Sequence, residues 1–83
     1  MYYLYIIECA DKSLYTGITT DLPRRVEEHN SSTKGAKYTS MRRPVKLVFS
    51  EEHENRSLAS RREASVKKLS RNDKLDLISQ YMR

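Results

Sequence analysis

The sequence contains few of the features that would crosslink the chain or insert it into a membrane. Its one cysteine, Cys9, has no second cysteine with which to form an internal disulfide. One cysteine and two histidines do not form the paired ligand spacings of a zinc site. No apolar run approaches the length of about 20 residues that spans a bilayer. The first residues lack the pattern of a secretory signal. These absences predict a cytoplasmic protein with no membrane contact.

What the chain does contain is enough apolar sequence for a small core, and an excess of positive charge. Of its 83 residues, 37% are hydrophobic and 33% are charged, which is typical of a compact folded domain. Without an internal repeat or a flexible linker, residues 1–83 are expected to form one domain, which we take to be a monomer. The net charge of +5 equals the excess between Arg24 and Lys46 alone, where seven basic residues face two glutamates. Such a segment favours a polyanion as partner, the alternative being a solvated loop.

Residues 3–17 predict a β-hairpin, because two aromatic and apolar runs lie on either side of a polar turn at 11–13. Side chains alternate between the two faces of a strand. A register that pairs Cys9 with Tyr15 would therefore place Tyr5 and Tyr15 on the same face. Two phenols there could form the floor of a site. The alternative is a pair of ordinary half-buried strand tyrosines.

The segment after the hairpin predicts a first helix from about residue 21 to residue 30. Asp21 can accept hydrogen bonds from the backbone amides of its first turn. Arg25 and His29 lie four residues apart and project from the side that also carries the apolar residues of this helix. An arginine there either has a partner for its charge or extends its head into solvent. His29 could instead interact with the last carbonyls of the helix.

Residues 30–44 are rich in Ser, Thr and basic residues and are expected to form a loop. Basic side chains around an aromatic residue suit phosphate contacts combined with base stacking. The residues predicted to contact nucleic acid are those of this segment and two from the flanking helices: Arg24, Lys34, Lys37, Tyr38, Arg42, Arg43 and Lys67.

A third strand is predicted over residues 45–50, followed by two helices. Its alternation would place Val45, Leu47 and Phe49 on the inner face, and the acidic residues at 51–54 would end it. The order β-β-α-β-α-α corresponds to an α+β domain in which a small three-stranded antiparallel sheet is packed by helices.

The second helix is predicted over about residues 57–69 and the third from Ser70 onward. Glu63 flanks the apolar stripe of the second helix, and Lys67 follows one turn later. The two could form a surface ion pair. Alternatively, Glu63 is a carboxylate at the edge of the core, directed toward the hairpin.

Motifs spread over nearly the whole chain resemble those of the GIY-YIG nuclease family. In chain order they are Tyr3-Leu4-Tyr5, Tyr15-Thr16-Gly17, Arg25, His29 and Glu63. The stretches GAKYT at 35–39 and KKLSR at 67–71 are similar to small stand-alone bacterial members, which are described as endonucleases. The chain departs from the family triplets at Tyr3, Leu4 and Thr16, which are positions of backbone packing.

The resemblance implies a metal-dependent endonuclease that hydrolyses DNA. Glu63 would bind one Mg²⁺ or Mn²⁺ ion, and Arg25 would bind the phosphate. Tyr5 would act as general base or orient the water, Tyr15 and His29 would hold the reacting groups, and His29 is the alternative base. A late asparagine of several members has no secure counterpart, and Asn72 is a candidate.

The absence of a separate recognition domain favours low sequence specificity and a preference for single-stranded or branched DNA, with RNA left open. Family members act in DNA repair, recombination, restriction and intron mobility. The alternatives to a nuclease are a non-catalytic nucleic-acid-binding module on the same fold and a protein-interaction domain.

Overall fold

The fold is described from a computed structural model of residues 1–31 and 34–81. In this part of the chain, three strands form one antiparallel sheet with strand order β2-β1-β3. The elements are β1 (Tyr2–Glu8), β2 (Leu14–Thr19), α1 (Leu22–Ser31), α2 (Lys37–Ser40), β3 (Lys46–His53), α3 (Arg56–Lys67) and α4 (Arg71–Tyr81). The predicted fold class, an α+β domain with a three-stranded antiparallel sheet, is confirmed. None of the helices described is both long and apolar enough to cross a membrane.

The register of the hairpin differs by two residues from the predicted one. Tyr15 lies opposite Ile7, and Gly17 lies opposite Tyr5. Cys9 follows β1 instead of belonging to it, and it is buried. Because a shift of two residues preserves the alternation of side chains, Tyr5 and Tyr15 still share a face of the sheet.

A bulge in β3 divides its apolar residues between the two faces of the sheet. Ile6 lies opposite Phe49 and Ile7 lies opposite Leu47, which leaves Val48 as the extra residue. The prediction that Leu47 and Phe49 face the same side is therefore wrong. Each belongs to a different core, and helices cover both sides of the sheet.

Alternation along β1 directs its side chains into two cores. Leu4 and Ile6 pack with Val66 on the side covered by α3 and α4, which we call the apolar face. Tyr5 and Ile7 lie on the opposite side, covered by α1, which we call the site face. Both faces of this central strand are therefore buried.

Three of the helices begin at capping residues. Asp21, Asn55 and Ser70 precede α1, α3 and α4, and each side chain accepts a bond from the backbone amide three residues later, at 3.0 to 3.1 Å. These bonds satisfy amides that have no partner within the helix.

Two predicted boundaries were wrong. The segment at 30–44, predicted as a loop, contains the short helix α2, and its residues 32 and 33 lie outside the described part of the chain. Strand β3 continues to His53, because its acidic residues pair with the start of β1 while their side chains reach the solvent of an edge strand.

Candidate active site

Four of the predicted site residues meet on the site face, supplied by β1, β2 and α1. The hydroxyl of Tyr5 lies 2.9 Å from Nε2 of His29. Arg25 donates from Nε to the same hydroxyl over 3.4 Å. The Tyr15 ring lies edge-on to the His29 ring, with 5.3 Å between their centroids. The hairpin register and the four-residue spacing on α1 together produce this group.

Gly17 leaves the space that the Tyr5 ring occupies. A Cβ atom at Gly17 would lie 2.5 Å from the hydroxyl oxygen of Tyr5 and 2.7 Å from its Cζ. Real Cβ contacts essentially never reach such distances. The glycine is therefore required by the close approach of the phenol across the hairpin.

His29 is fully buried and is bonded at both ring nitrogens. Its Nδ1 lies 2.8 Å from the hydroxyl of Thr39, which itself donates to the carbonyl of Ala36 over 2.9 Å. Since a hydroxyl carries one proton, Thr39 accepts from a protonated Nδ1. The amide of Ala36 lies 3.5 Å from Nδ1, and this contact is too long to decide the tautomer. Nε2 is then the acceptor for the Tyr5 hydroxyl.

Burial keeps the Tyr5–His29 pair neutral at neutral pH. It lowers the pKa of His29 to about 4, an effect that the charge of Arg25 increases and that of Glu28 opposes. Burial also raises the pKa of Tyr5, and it outweighs the opposing hydrogen bond and charge of Arg25. Arg25 thus lowers the pKa of Tyr5 by less than burial raises it, and the phenol is a weaker acid than an ordinary tyrosine in this state.

Arg25 lies between this buried pair and the solvent. Its Nη1 donates to Oε1 of Glu28 over 3.0 Å and to the carbonyl of Lys34 over 2.8 Å. The side chain is 24% exposed, whereas Tyr5 is 1% exposed. The sequence left two alternatives for this arginine, a partner for its charge or a head group in solvent, and the structure shows the first. A phosphate that binds Arg25 must compete with the Glu28 carboxylate.

Glu63 lies on α3 and forms the predicted ion pair with Lys67, with 3.4 Å between Oε2 and Nζ. In the described part of the chain it makes no hydrogen bond to the Tyr5 group. Its charge nevertheless contributes to the raised pKa of Tyr5. The charge of Glu63 therefore acts on Tyr5, as the smallest of the contributions to its raised pKa, without a hydrogen bond between the two among the described residues.

The candidate metal ligand is a single carboxylate, that of Glu63, and this suits a hydrated ion. Within residues 1–31 and 34–81, no three His, Cys, Asp or Glu side chains cluster as metal ligands. A single carboxylate fits Mg²⁺, which keeps several waters and takes further oxygens from substrate phosphates. The Glu63 side chain is 25% exposed and Lys67 is 55% exposed, so the ion pair can open toward solvent.

Several of the residues predicted to bind nucleic acid make internal contacts. Arg42 pairs with Asp11 at 3.1 Å, and Arg43 donates to the carbonyl of His29 over 2.6 Å. The exposed residues of the set are Arg24, Lys34, Lys37, Tyr38 and Lys67.

Tyr38 extends the aromatic group toward the surface. Its ring stacks on Tyr15 with 5.9 Å between centroids and 26° between planes. The guanidinium of Arg42 lies 4.0 Å from the centre of the same ring. Tyr38 is 40% exposed, so the stack runs from the buried His29 to solvent.

Thr39 is the member of this network that the sequence analysis missed. It lies next to Tyr38 in the stretch GAKYT, which was noted only for its resemblance to the family. A threonine in a polar segment is ordinary, so no local signal marked it as the partner of a histidine ten residues earlier.

The chain is similar to known proteins in both sequence and structure. The model of the GIY-YIG catalytic domain matches residues 1–76. A UPF0213 protein of Syntrophus aciditrophicus is 55% identical over 78 residues, which cover 94% of this chain and 90% of that protein. UPF0213 protein DP2720 of Desulfotalea psychrophila is 54% identical over 77 residues, covering 93% of this chain and 70% of the relative.

Two solution NMR structures have the same fold. UPF0213 protein BH0048 from Bacillus halodurans is 48% identical, with a TM-score of 0.61, and the match covers 96% of this chain and 85% of that one. EF2693 from E. faecalis is 40% identical, with a TM-score of 0.64 and coverages of 98% and 85%. A GIY-YIG domain indicates a nuclease with a nucleic-acid substrate, and such nucleases generally use a divalent metal. With the family model matching most of its length, the chain belongs to the GIY-YIG family.

Proposed function

We propose that this protein is a metal-dependent endonuclease that hydrolyses phosphodiester bonds in DNA. The observation that carries the proposal is the hydrogen-bonded group of Tyr5, His29 and Arg25 on the site face of a GIY-YIG domain. Hydrolysis of a phosphodiester requires a positioned water, a proton acceptor and stabilisation of the charge that develops on phosphate. The group contains a candidate for each of these roles.

Tyr5 and His29 provide a route for the proton of the attacking water. The water would donate to the Tyr5 hydroxyl while that hydroxyl donates its own proton to Nε2 of His29. As the water oxygen bonds to phosphorus, the bond to the leaving 3′-oxygen breaks and that oxygen takes a proton from solvent. His29 becomes an imidazolium and then releases its proton to solvent, which restores the neutral pair. A concerted transfer avoids a free phenolate, which burial of Tyr5 disfavours, and because burial also disfavours the imidazolium, the protonated His29 would be short-lived. Tyr5 contacts the water, and His29 is the final acceptor.

Arg25 would bind the non-bridging oxygens of the phosphate after it releases Glu28. Its guanidinium can contact two oxygens at once, and the interaction strengthens as negative charge develops. Tyr15, packed against His29, would help to keep water and phosphate in line.

Glu63 would hold the Mg²⁺ or Mn²⁺ ion after Lys67 moves away from it. When bound, such an ion supplies positive charge to the phosphate and to the leaving 3′-oxygen. The support for this role is the single, partly exposed carboxylate, its coupling to Tyr5 and the family of the domain.

The proposed substrate is single-stranded or branched DNA, cut with little sequence specificity. The described residues form one small sheet with its helices and include no separate recognition domain. We further propose that the protein acts as a monomer in the cytoplasm, with DNA repair as one setting in which branched DNA arises. RNA is the substrate against which cleavage of DNA is to be compared.

A second candidate is a nucleic-acid-binding module that does not cleave. It is favoured by the burial of Tyr5 and by the ion pair that occupies Arg25. Such a module would bind DNA with a steep salt dependence and without any need for metal.

The test compares cleavage of labelled single-stranded, branched, nicked and fully paired DNA in Mg²⁺, in Mn²⁺ and in chelator. Wild type is expected to cut only with metal. Arg25→Ala and Glu63→Gln are each expected to lose cutting by about 100-fold or more. Arg61→Ala, which removes an exposed arginine of α3, is the control and should cut like wild type. Full cutting by both site variants would overturn the proposal. Binding in chelator without any cutting by wild type would favour the binding module.

A further inference from the structure

We infer that a recess beside the candidate active site binds a backbone phosphate of the substrate strand, on the same strand as the phosphate that is cleaved. This inference rests on the proposed function and names a further subsite of the same site. The recess has a volume of about 220 Å³. It is lined by Ser13, Leu14, Tyr38, Arg71 and Lys74.

Two separate stretches of the chain, both similar to those of the small GIY-YIG proteins, contribute to this recess. Tyr38 belongs to GAKYT, and Arg71 is the last residue of KKLSR. The two residues are 33 positions apart in the chain. Ser13 of the hairpin turn and Leu14, the first residue of β2, complete the lining.

The recess carries two cations that no acidic side chain neutralises within the described residues. Arg71 and Lys74 lie three residues apart on α4 and so project from the same side of the helix. In the described segments, neither has a carboxylate within ion-pair distance. The carboxylate in the adjacent turn, Asp11, is paired with Arg42. Two neighbouring cations without acidic partners favour an anion.

Arg71 is held in place for such a contact. Its Nη2 donates to the carbonyl of Lys12 over 2.9 Å, which fixes the guanidinium against the hairpin turn. A guanidinium has five N–H donors, so this bond leaves others for an anion. Holding the group in advance reduces the entropy that binding must overcome.

Two aromatic contacts connect the wall of the recess to the site face. Tyr38, in its wall, stacks on Tyr15, and Tyr15 contacts the His29 ring. A strand whose scissile phosphate lies at Arg25 and that follows this aromatic stack would place another of its phosphates at the recess.

The first test is binding of single-stranded oligothymidylate in chelator at several salt concentrations, where cleavage plays no part. The double variant Arg71→Gln, Lys74→Gln is expected to bind about 3- to 10-fold more weakly. Its log–log salt slope should fall by about 0.7, the value for one phosphate on single strands. The matched control Arg56→Gln, Arg61→Gln removes two exposed arginines of α3 and should keep the wild-type slope. Equal effects of the two double variants would overturn the inference.

The double variant also removes the bond between Arg71 and the hairpin turn, so a single variant at Lys74 is needed to test the charge alone. Lys74→Glu reverses one charge of the recess and breaks no hydrogen bond or ion pair found among the described residues. It is expected to weaken binding at least as much as the double variant while the circular dichroism melting curve stays unchanged. Wild-type affinity in Lys74→Glu would contradict the inference.

The second test locates the strand by NMR with the same oligothymidylate in chelator. Amide shifts at Ser13, Leu14 and Tyr38 that disappear in Lys74→Glu are the expected result. Shifts confined to the surroundings of Arg25, or no shifts at all, would overturn the subsite. Equal shifts at the recess with inorganic phosphate alone would indicate a general anion site and would also overturn it. Recess shifts without metal-dependent cutting would refute the nuclease and leave the subsite intact.

Discussion

The two faces of the sheet contain alternate residues of β1, yet their buried polar groups differ in hydrogen bonding. On the site face, Tyr5, His29 and Thr39 form an unbroken chain of hydrogen bonds. On the apolar face, the hydroxyl of Thr16, opposite Ile6, is buried with no hydrogen-bond partner among the described residues. A fully bonded polar network fixes the positions of its members, whereas an unbonded hydroxyl only reduces stability.

The largest expected effect comes from crowding the site face at Gly17. In Gly17→Ala the new methyl group would meet the hydroxyl of Tyr5 at 2.5 Å, so the phenol must shift, which disturbs its 2.9 Å contact with His29. A displacement of about 1 Å at a reacting group can reduce the rate by about 100-fold. We expect a loss of that size in DNA cleavage at saturating metal.

The comparison variant for this prediction is Ile18→Ala, which truncates the next residue along β2, on the apolar face. It should lower the melting temperature and leave the rate per folded molecule near that of wild type. If Gly17→Ala cut at the wild-type rate, the close packing of Tyr5 would have no bearing on activity.

The next effect is a pH dependence of stability that arises from the site face. The pKa of His29 is about 4 in the folded protein, below its ordinary value of 6.5. As the pH falls below 6.5, His29 becomes protonated in the unfolded chain while it stays neutral in the folded chain. The stabilising contribution is therefore present above about pH 6.5 and is lost toward pH 4. Between pH 7 and pH 5 the free energy of unfolding should fall by about 2 kcal/mol from this group.

Urea unfolding at both pH values measures this loss, and two histidine variants isolate it. His29→Gln should be less stable at pH 7 and should show a smaller change on acidification. His53→Gln replaces the partly exposed histidine that pairs with Glu51 and should keep the wild-type change. A change of the same size in His29→Gln as in wild type would show that another group is responsible.

The smallest effect comes from the same substitution at two of the buried threonines, Thr39 and Thr16. Thr39→Val leaves Nδ1 of His29 without its acceptor and should cost about 1 to 2 kcal/mol of stability. Thr16→Val removes an unbonded hydroxyl and should stabilise the fold by up to about 1 kcal/mol. Chemical denaturation of both variants beside wild type measures the two signs.

Thr39→Ser keeps the hydroxyl at this position and removes only the methyl group. Thr39→Ser should recover the nitrogen-15 chemical shifts of His29 that report a protonated Nδ1, and Thr39→Val should not. Effects of the same sign in Thr16→Val and Thr39→Val would remove the distinction between the faces.

Local sequence patterns were sufficient for most of the elements and for the direction of the main side chains. Alternation along the hairpin predicted that Tyr5 and Tyr15 share a face, and the four-residue spacing on α1 predicted that Arg25 and His29 project together. Both predictions depend only on the period of a strand or a helix. For the same reason, the first prediction survived a hairpin register that differs by two residues.

Features that depend on contacts between distant segments required the tertiary structure. The bulge at Val48 cannot be predicted from alternation, because it depends on how β3 pairs with β1. The bond from His29 to Thr39, and the meeting of Tyr38 with Arg71 at one recess, join segments whose own patterns are ordinary. The sequence by itself thus determined which elements form and which way their side chains point. Only the packing of those elements decided which atoms meet, because periodicity orients a side chain within its own element and does not specify its neighbour.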